Sequence, residues 1–415
     1  WLPGLASVGV VLLDHILSWF IHGSWYSWIS PSARLLEAMH KEHENQVKIV
    51  SSYNSEYNIF IFSSYEELKI SNRNVIDNHL KNIKDDSLII DVKINKLYSR
   101  LINVIMKEAV SKGVKKIILK NVMGQRLIGT GVNCDEITVE GLVGNQSFAF
   151  IKGVKVNVLP SRDNNILIPA NAQVGVANTS NPLEFNIAGH VNDLFAAYAV
   201  SGVFRVAKSG GARNLLLMKA GLPQEWNRLN LEKYRNYNDE EILDELLLRY
   251  HKRKALRLSK KWSNFLATFE EKLNDRTLPV AIYGLGVERG MGDYFMEYAQ
   301  GGIGIVLNIP NLENPMGYYI CSGMSAGAAF IRGKVTQNQL GVGVKKIDYL
   351  TDNDIVFLER EIIRFIKTFE NVDIDKSYNK VFNEFANRFY KDKEDIFEEF
   401  CKIIPITVDG VRTNE

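Results

Sequence analysis

Short β-branched or aromatic runs recur along the chain after about residue 118: "ITVEG" at 137, "VNVLP" at 156, "FNIAG" at 185, "FRVAK" at 204, "VAIYG" at 280, "GIVLN" at 304 and "AFIRG" at 329. Ile137 and Val156 are 19 residues apart, as are Phe185 and Phe204, and Ile282, Ile305 and Phe330 are spaced by 23 and 25. Self-similarity at about 20 residues points to repeats, each laying its strand on the next so that inward apolar side chains build one continuous core. A leucine-rich repeat shares the period but needs an LxxLxL frame, which the chain lacks. The expectation is a mainly β protein with helical additions, a right-handed, single-stranded parallel β-helix. "GMGDYFMEYAQGGIGIVLN", 290–308, crowds glycines at 290, 292, 301, 302 and 304 against a strand. They read as corner residues, where positive φ or close backbone approach leaves no room for a Cβ.

The 415 residues exceed one ordinary core and divide by pattern into three parts. Residues 1–85 read as an N-terminal α/β segment, with a helical piece, "SARLLEAMHKEHEN", and strand-like "VKIVSSY" and "YNIFIFSSY". Residues 86–350 hold the repeats, entered through "DSLIIDVKI", a helix with Leu97, Leu101, Ile102, Ile105 and Met106 on one face and Gly113 as its C-cap, and "VKKIILKNV". A polar helical insertion, 222–278, interrupts them. It carries a basic block, Arg249, Lys252, Arg253, Lys254, Arg257, Lys260 and Lys261, that reads first as a solvated helix face. Residues 351–415 read as amphipathic helices capping the open end of the stack.

Composition narrows the function. A formal charge of +2 argues against wholesale nucleic-acid binding. Cys134, Cys321 and Cys401 are far apart and form no CxxC, which disfavours a disulfide framework, a zinc site or a cluster held by this chain alone and suits a reducing cytoplasm. The N-terminal "WLPGLASVGVVLLDHILSWF" has no basic flank and is broken by Asp14 and His15. It reads as a buried or partner-covered helix rather than a signal peptide or membrane span. The first residue, Trp1, suggests a fragment or a processed form.

Candidate chemical residues are few. His40 and His43, at i and i+3 beside Glu37, Glu42 and Glu44, could hold a metal on a helix, though an HxxH outside an HExxH frame is more often a surface helix. His190, in "FNIAGHVND", stands at a turn where it could meet solvent or a partner, and reads more simply as a satisfied structural histidine. Cys321 reads as a small buried hydrophobe. "GLGVERGMG", 284–292, has the wrong spacing for a dinucleotide loop and precedes strand rather than helix signals. Without an N-terminal cysteine or an identifiable Ser-His-Asp set, the sequence assigns no catalytic, cofactor-binding or metal-ligating residue.

Three segments, "GVKKIILKNVMGQRLIGTGV", "GDYFMEYAQGGIGIVLN" and "GYYICSGMSAGAAFIRGKV", resemble the GXGXG domain of the glutamate synthase large subunit and its free-standing archaeal-type version. One component of formylmethanofuran dehydrogenase carries a similar domain. The resemblance runs from about residue 86 to about 405. It implies a structural subunit that packs a glutamine amidotransferase and an FMN-dependent synthase together and could wall an ammonia path. FMN and the iron–sulfur cluster would belong to partner subunits, with no nucleic acid and no membrane involved. The alternatives are a formylmethanofuran dehydrogenase-type complex, or a degenerate amidotransferase fused to the domain. The middle repeats depart from the pattern: "GNQSFAFIKGVKVNV" and "AAYAVSGVFRV" keep only part of its glycines.

Overall fold

The computed structural model describes residues 69–70, 72–92, 97, 99–163, 166–218 and 279–406. Most of the N-terminal segment, with His40 and His43, and all of the insertion 222–278 with its basic block lie outside these residues.

Helix α1 (Arg73–Leu80) leads into β1 (Ser87–Asp91). Helix α2 (Ser99–Ser111) then crosses to the parallel strand β2 (Lys116–Met123). It buries Leu101, Ile102, Ile105 and Met106 as the spacing predicts, and Gly113 ends it at φ +90°. There follow β3 (Glu136–Leu142), β4 (Lys155–Leu159), the hairpin β5 (Ser161–Asp163) with β6 (Ile166–Ile168), β7 (Glu184–Ile187), β8 (Val203–Val206), β9 (Val280–Tyr283), β10 (Gln300–Val306) and β11 (Ala326–Arg332). The described residues end with β12 (Val344–Ile347), α3 (Asp352–Phe369), α4 (Lys376–Lys391), α5 (Lys393–Glu398) and β13 (Phe400–Pro405).

One 11-stranded sheet takes the order β1-β2-β3-β4-β7-β8-β9-β10-β11-β13-β12. Every pairing from β1 to β11 is parallel, while β13 pairs antiparallel with both β11 and β12. Ile137 lies opposite Val156, Phe185 opposite Phe204, and Ile282 and Phe330 flank Ile305, so the spacings in the sequence are the register of this sheet. On one face Ile137, Val139, Val156, Val158, Phe185 and Phe204 point into the core. Helices α3 and α4 reach the sheet through several contacts. The Phe357 ring lies 6.3 Å from Phe330, Arg332 stacks 5.3 Å above Phe385, and Tyr378 donates its hydroxyl to the Ala207 carbonyl. Strands β8 and β9 are accordingly buried at every position, the pattern of parallel strands covered on both faces. A polar line crosses the sheet on the face opposite the inward-pointing residues. Asn157 donates to Glu136 at 2.9 Å, Asn186 to Asn157 at 3.0 Å and Arg205 to Asn186 at 3.2 Å.

The segments that return from one parallel strand to the next hold the other side of the core. Segments 127–131, 146–150, 175–179, 194–198, 213–217, 294–298 and 319–323 share one conformation, with φ positive at the first, third and fifth residue. They are joined by backbone hydrogen bonds: Leu194 donates to Ala212, Arg213 to Asp293 and Tyr294 to Tyr318, while Ala196 donates back to Val176 and Leu215 to Phe195. The third residue points inward, and Phe148, Ala177, Ala196, Leu215, Met296 and Cys321 are fully buried there. Aromatic rings fill the space between this layer and the sheet, Phe185 lying 5.5 Å from Phe148 and 5.8 Å from Phe195.

These observations correct the expectation of a mainly β parallel β-helix. Eleven of the thirteen strands form one mixed, largely parallel sheet flanked by helices, an α/β-like arrangement, and β5 and β6 pair separately. The seven turn segments contain no sheet strand, because alternating positive φ is incompatible with a pleated backbone. The glycine cluster divides between the two expected causes: Gly301 and Gly302 have positive φ, 153° and 80°. Of the twenty-one positive-φ positions in these seven turn segments only Gly129, Gly131, Gly175 and Gly323 are glycines. Gly290, Gly292 and Gly304 do not have positive φ; a Cβ there would lie 2.5 Å from Pro315 O, Gly211 C and Met296 Sδ respectively, so close approach explains them. At the C-terminus "FCKIIP", expected within the helical tail, is β13. Its apolar, β-branched run fills the place beside β11 that would otherwise be an open edge.

Candidate functional site

Ligand sites of parallel sheets lie beyond the carboxyl ends of their strands. In this chain that position, past β7, β8 and β9, gathers His190, Lys208 with Ser209, and Glu288 with Arg289. Asp375, the N-cap of α4, completes the group from the helical layer.

His190 is anchored by its own backbone N–H, which donates to Asn171 Oδ1 at 2.8 Å. Its Nδ1 accepts the backbone N–H of Ser209 at 3.3 Å, so the ring proton sits on Nε2 and faces the Glu288 carboxylate. Only a neutral imidazole meets both neighbours. Burial is the main cause holding the His190 pKa below its ordinary value, and it outweighs the attraction of Glu288. Burial pushes the Glu288 carboxyl the other way, but its own backbone N–H, His190 and Lys208 together overcome this and leave it below the usual range. A neutral ring donating to an ionised carboxylate satisfies both shifts.

Lys208 Nζ bridges the two acids, 3.8 Å from Glu288 and 2.6 Å from Asp375. Asp375 Oδ1 meanwhile accepts the Tyr378 backbone N–H at 2.9 Å and the Ser377 hydroxyl at 2.7 Å, capping α4. Burial opposes its ionisation, yet these bonds prevail and the carboxyl is held down at about 2.

Serine, histidine and glutamate therefore stand side by side, but not wired as a nucleophilic triad. Ser209 Oγ is buried, donates to the Arg289 carbonyl at 2.5 Å and accepts the Gly286 N–H at 2.9 Å. The imidazole Nδ1 lone pair accepts the Ser209 backbone N–H, so it cannot serve as base to that hydroxyl in this geometry. Each group is occupied in fastening one layer to the next.

The remaining candidates are placed apart from this group. Cys321 lies fully buried at an inward position of 319–323, and burial raises its thiol pKa far above the ordinary value. Burial likewise raises Cys134 and Cys401 to about 11, so none of the three is a thiolate near neutral pH. "GLGVERGMG" runs from β9 into the turn segment 294–298, with no helix whose N-terminus could cradle a phosphate. Among the described residues no cluster of His, Cys, Asp and Glu is grouped to hold a metal, and no helix is long and apolar enough to cross a membrane. Glu288, Lys208 and Asp375 carried no sequence signal. Glu288 is 98 residues from the histidine it touches, and only the register of β7, β8 and β9 brings them together.

No family model matches the chain. The uncharacterized protein MJ1350 of Methanocaldococcus jannaschii is 26% identical to it over 262 residues, which span 62% of this chain and 74% of that protein.

Proposed function

We propose that this chain is a structural subunit of a glutamate-synthase-like complex in the cytoplasm, holding a glutamine amidotransferase and a flavin-binding synthase subunit together. The supporting observation is that the best-placed titratable residues are consumed in internal fastening. His190, Ser209, Lys208, Glu288 and Asp375 all bond to neighbouring layers, which suits a rigid frame better than a reacting centre. The resemblance of 113–132, 292–308 and 317–335 to the GXGXG domain supplies the identity of the partners. Continuous backbone ladders resist bending, and a frame of this kind fixes the distance between active sites carried by other chains.

Purification of the tagged chain from its native host, with identification of co-eluting chains, tests the reading. An amidotransferase and a flavin-binding chain are expected. Elution without either, or glutamine hydrolysis by the isolated chain, overturns it.

A further inference from the structure

The left-handed positions on the outside of the turn layer carry large side chains in conformations that glycine adopts without strain. Tyr294, Tyr298 and Tyr319 have φ of 60°, 52° and 60°. Tyr298, Tyr318 and Tyr319 are 45%, 57% and 51% exposed, so little core burial compensates. Two of these rings are packed together: Tyr294 and Tyr319 stack at 4.8 Å with a 12° tilt, and Arg213 lies 5.0 Å over the Tyr294 ring. Tyrosine and arginine held in one arrangement are what interface centres select, since little rotamer freedom is lost on docking.

The charge of this surface specifies what it fits. Arg213 is neutralised by Glu297 at 3.1 Å. Asp293, exposed beside Tyr294, and Asp193, exposed two layers away, each use Oδ1 to accept the N–H of the next layer, Tyr318 at 2.8 Å and Ala212 at 2.7 Å, and have no ion pair among the described residues. The geometry points to this tyrosine ridge as the docking surface for a protein subunit whose apolar contact area is bordered by lysine or arginine. Complementary charge would steer and register that subunit while the rings supply the contact. This inference rests on the reading of the chain as a partner-binding subunit.

The test uses the full chain and the purified amidotransferase and flavin-binding synthase chains of its host, with dissociation constants measured at low and high salt. Three variants are compared with wild type: Tyr298→Ser/Tyr319→Ser; Asp193→Asn/Asp293→Asn, which keeps the Oδ1 acceptors and removes the charge; and Val356→Ser on α3 as a remote control. For one of the two partners, the tyrosine variant is expected to weaken binding by about tenfold or more. The asparagine variant should weaken it by several-fold and flatten its salt dependence, with the control unchanged. Should the tyrosine variant misfold, the asparagine variant alone decides. If wild type binds a partner and the variants bind it equally well, the ridge is not the docking surface and the structural-subunit reading stands. If wild type binds neither chain, that reading and this inference both fall.

Discussion

Lys208, just past the end of β8, meets Asp375, the residue that caps α4, at 2.6 Å. One carboxylate therefore fastens the helical layer to the sheet and starts the helix. Its pKa falls from an ordinary 3.8 to about 2, worth roughly 2 kcal/mol by linkage. The sign follows from the depressed value: the stabilisation is complete above about pH 4 and disappears as pH falls through about 2. Asp375→Asn, which keeps a capping oxygen, should cost about 1–2 kcal/mol at pH 7. Denaturant titrations from pH 7 to pH 2 should show wild type and variant converging at the acid end. A gap that persists at pH 2 would contradict the ion-pair account.

The neutral state of His190 predicts a pH dependence in a different window. Protonation places a second N–H against the Ser209 backbone N–H and strands that donor. The groups facing the ring are Glu288, Lys208 and Arg289; burial and the two cations outweigh the glutamate, and the pKa lies below 6.5. For a base with a depressed folded value, stability is full above the unfolded pKa and is lost as pH falls below it. Wild type should therefore lose stability between pH 6.5 and the folded pKa, and His190→Gln should not share that loss. NMR titration of the ring provides the direct measurement. A midpoint above 6.5 would rule the arrangement out.

These two contacts also mark what the sequence could and could not disclose. The strands were legible because β-branched runs recur, and the 19-residue spacings of Ile137 to Val156 and Phe185 to Phe204 are themselves the register. The turn layer was not legible, since "LFAAY" at 194–198 or "YFMEY" at 294–298 looks like a strand or a helix and carries no glycine to signal φ above zero. The arrangement follows from stacking on neighbouring layers, a tertiary effect that overrides local preference. The cluster at His190 depends on contacts such as Glu288 and Asp375, which share no motif with it.

Thr179 gives that tertiary override a measurable cost. It is β-branched, holds φ at 53°, and its Oγ1 is buried without a hydrogen-bond partner. Left-handed backbone at such a residue costs about 1–3 kcal/mol, and an unsatisfied hydroxyl adds to it. Replacing Thr179 by glycine removes both terms and adds about 0.4–1 kcal/mol of unfolded-state entropy, so a net gain of about 1 kcal/mol is expected. Glycine substitutions usually destabilise, and a midpoint shift to higher denaturant would be diagnostic. A loss of stability would show that the Thr179 contacts outweigh the strain.

The glycines beside β10 make the converse case. At Gly292 an added Cβ would lie 2.5 Å from the Gly211 carbonyl carbon and 2.6 Å from the Ala212 nitrogen, both backbone atoms that cannot rotate away. The clash can be relieved only by spreading two adjacent layers, and Gly292→Ala should cost about 2–3 kcal/mol. Gly153 is the control, because its φ is +67° but nothing lies within 4 Å of the point where a methyl group would sit. There alanine pays only for the left-handed backbone, about 1 kcal/mol. If close approach of layers is what the cluster of glycines near residue 290 serves, chemical denaturation should rank Gly292→Ala well below Gly153→Ala in stability. Equal losses would mean that the backbone conformation, rather than the spacing between layers, selects glycine there.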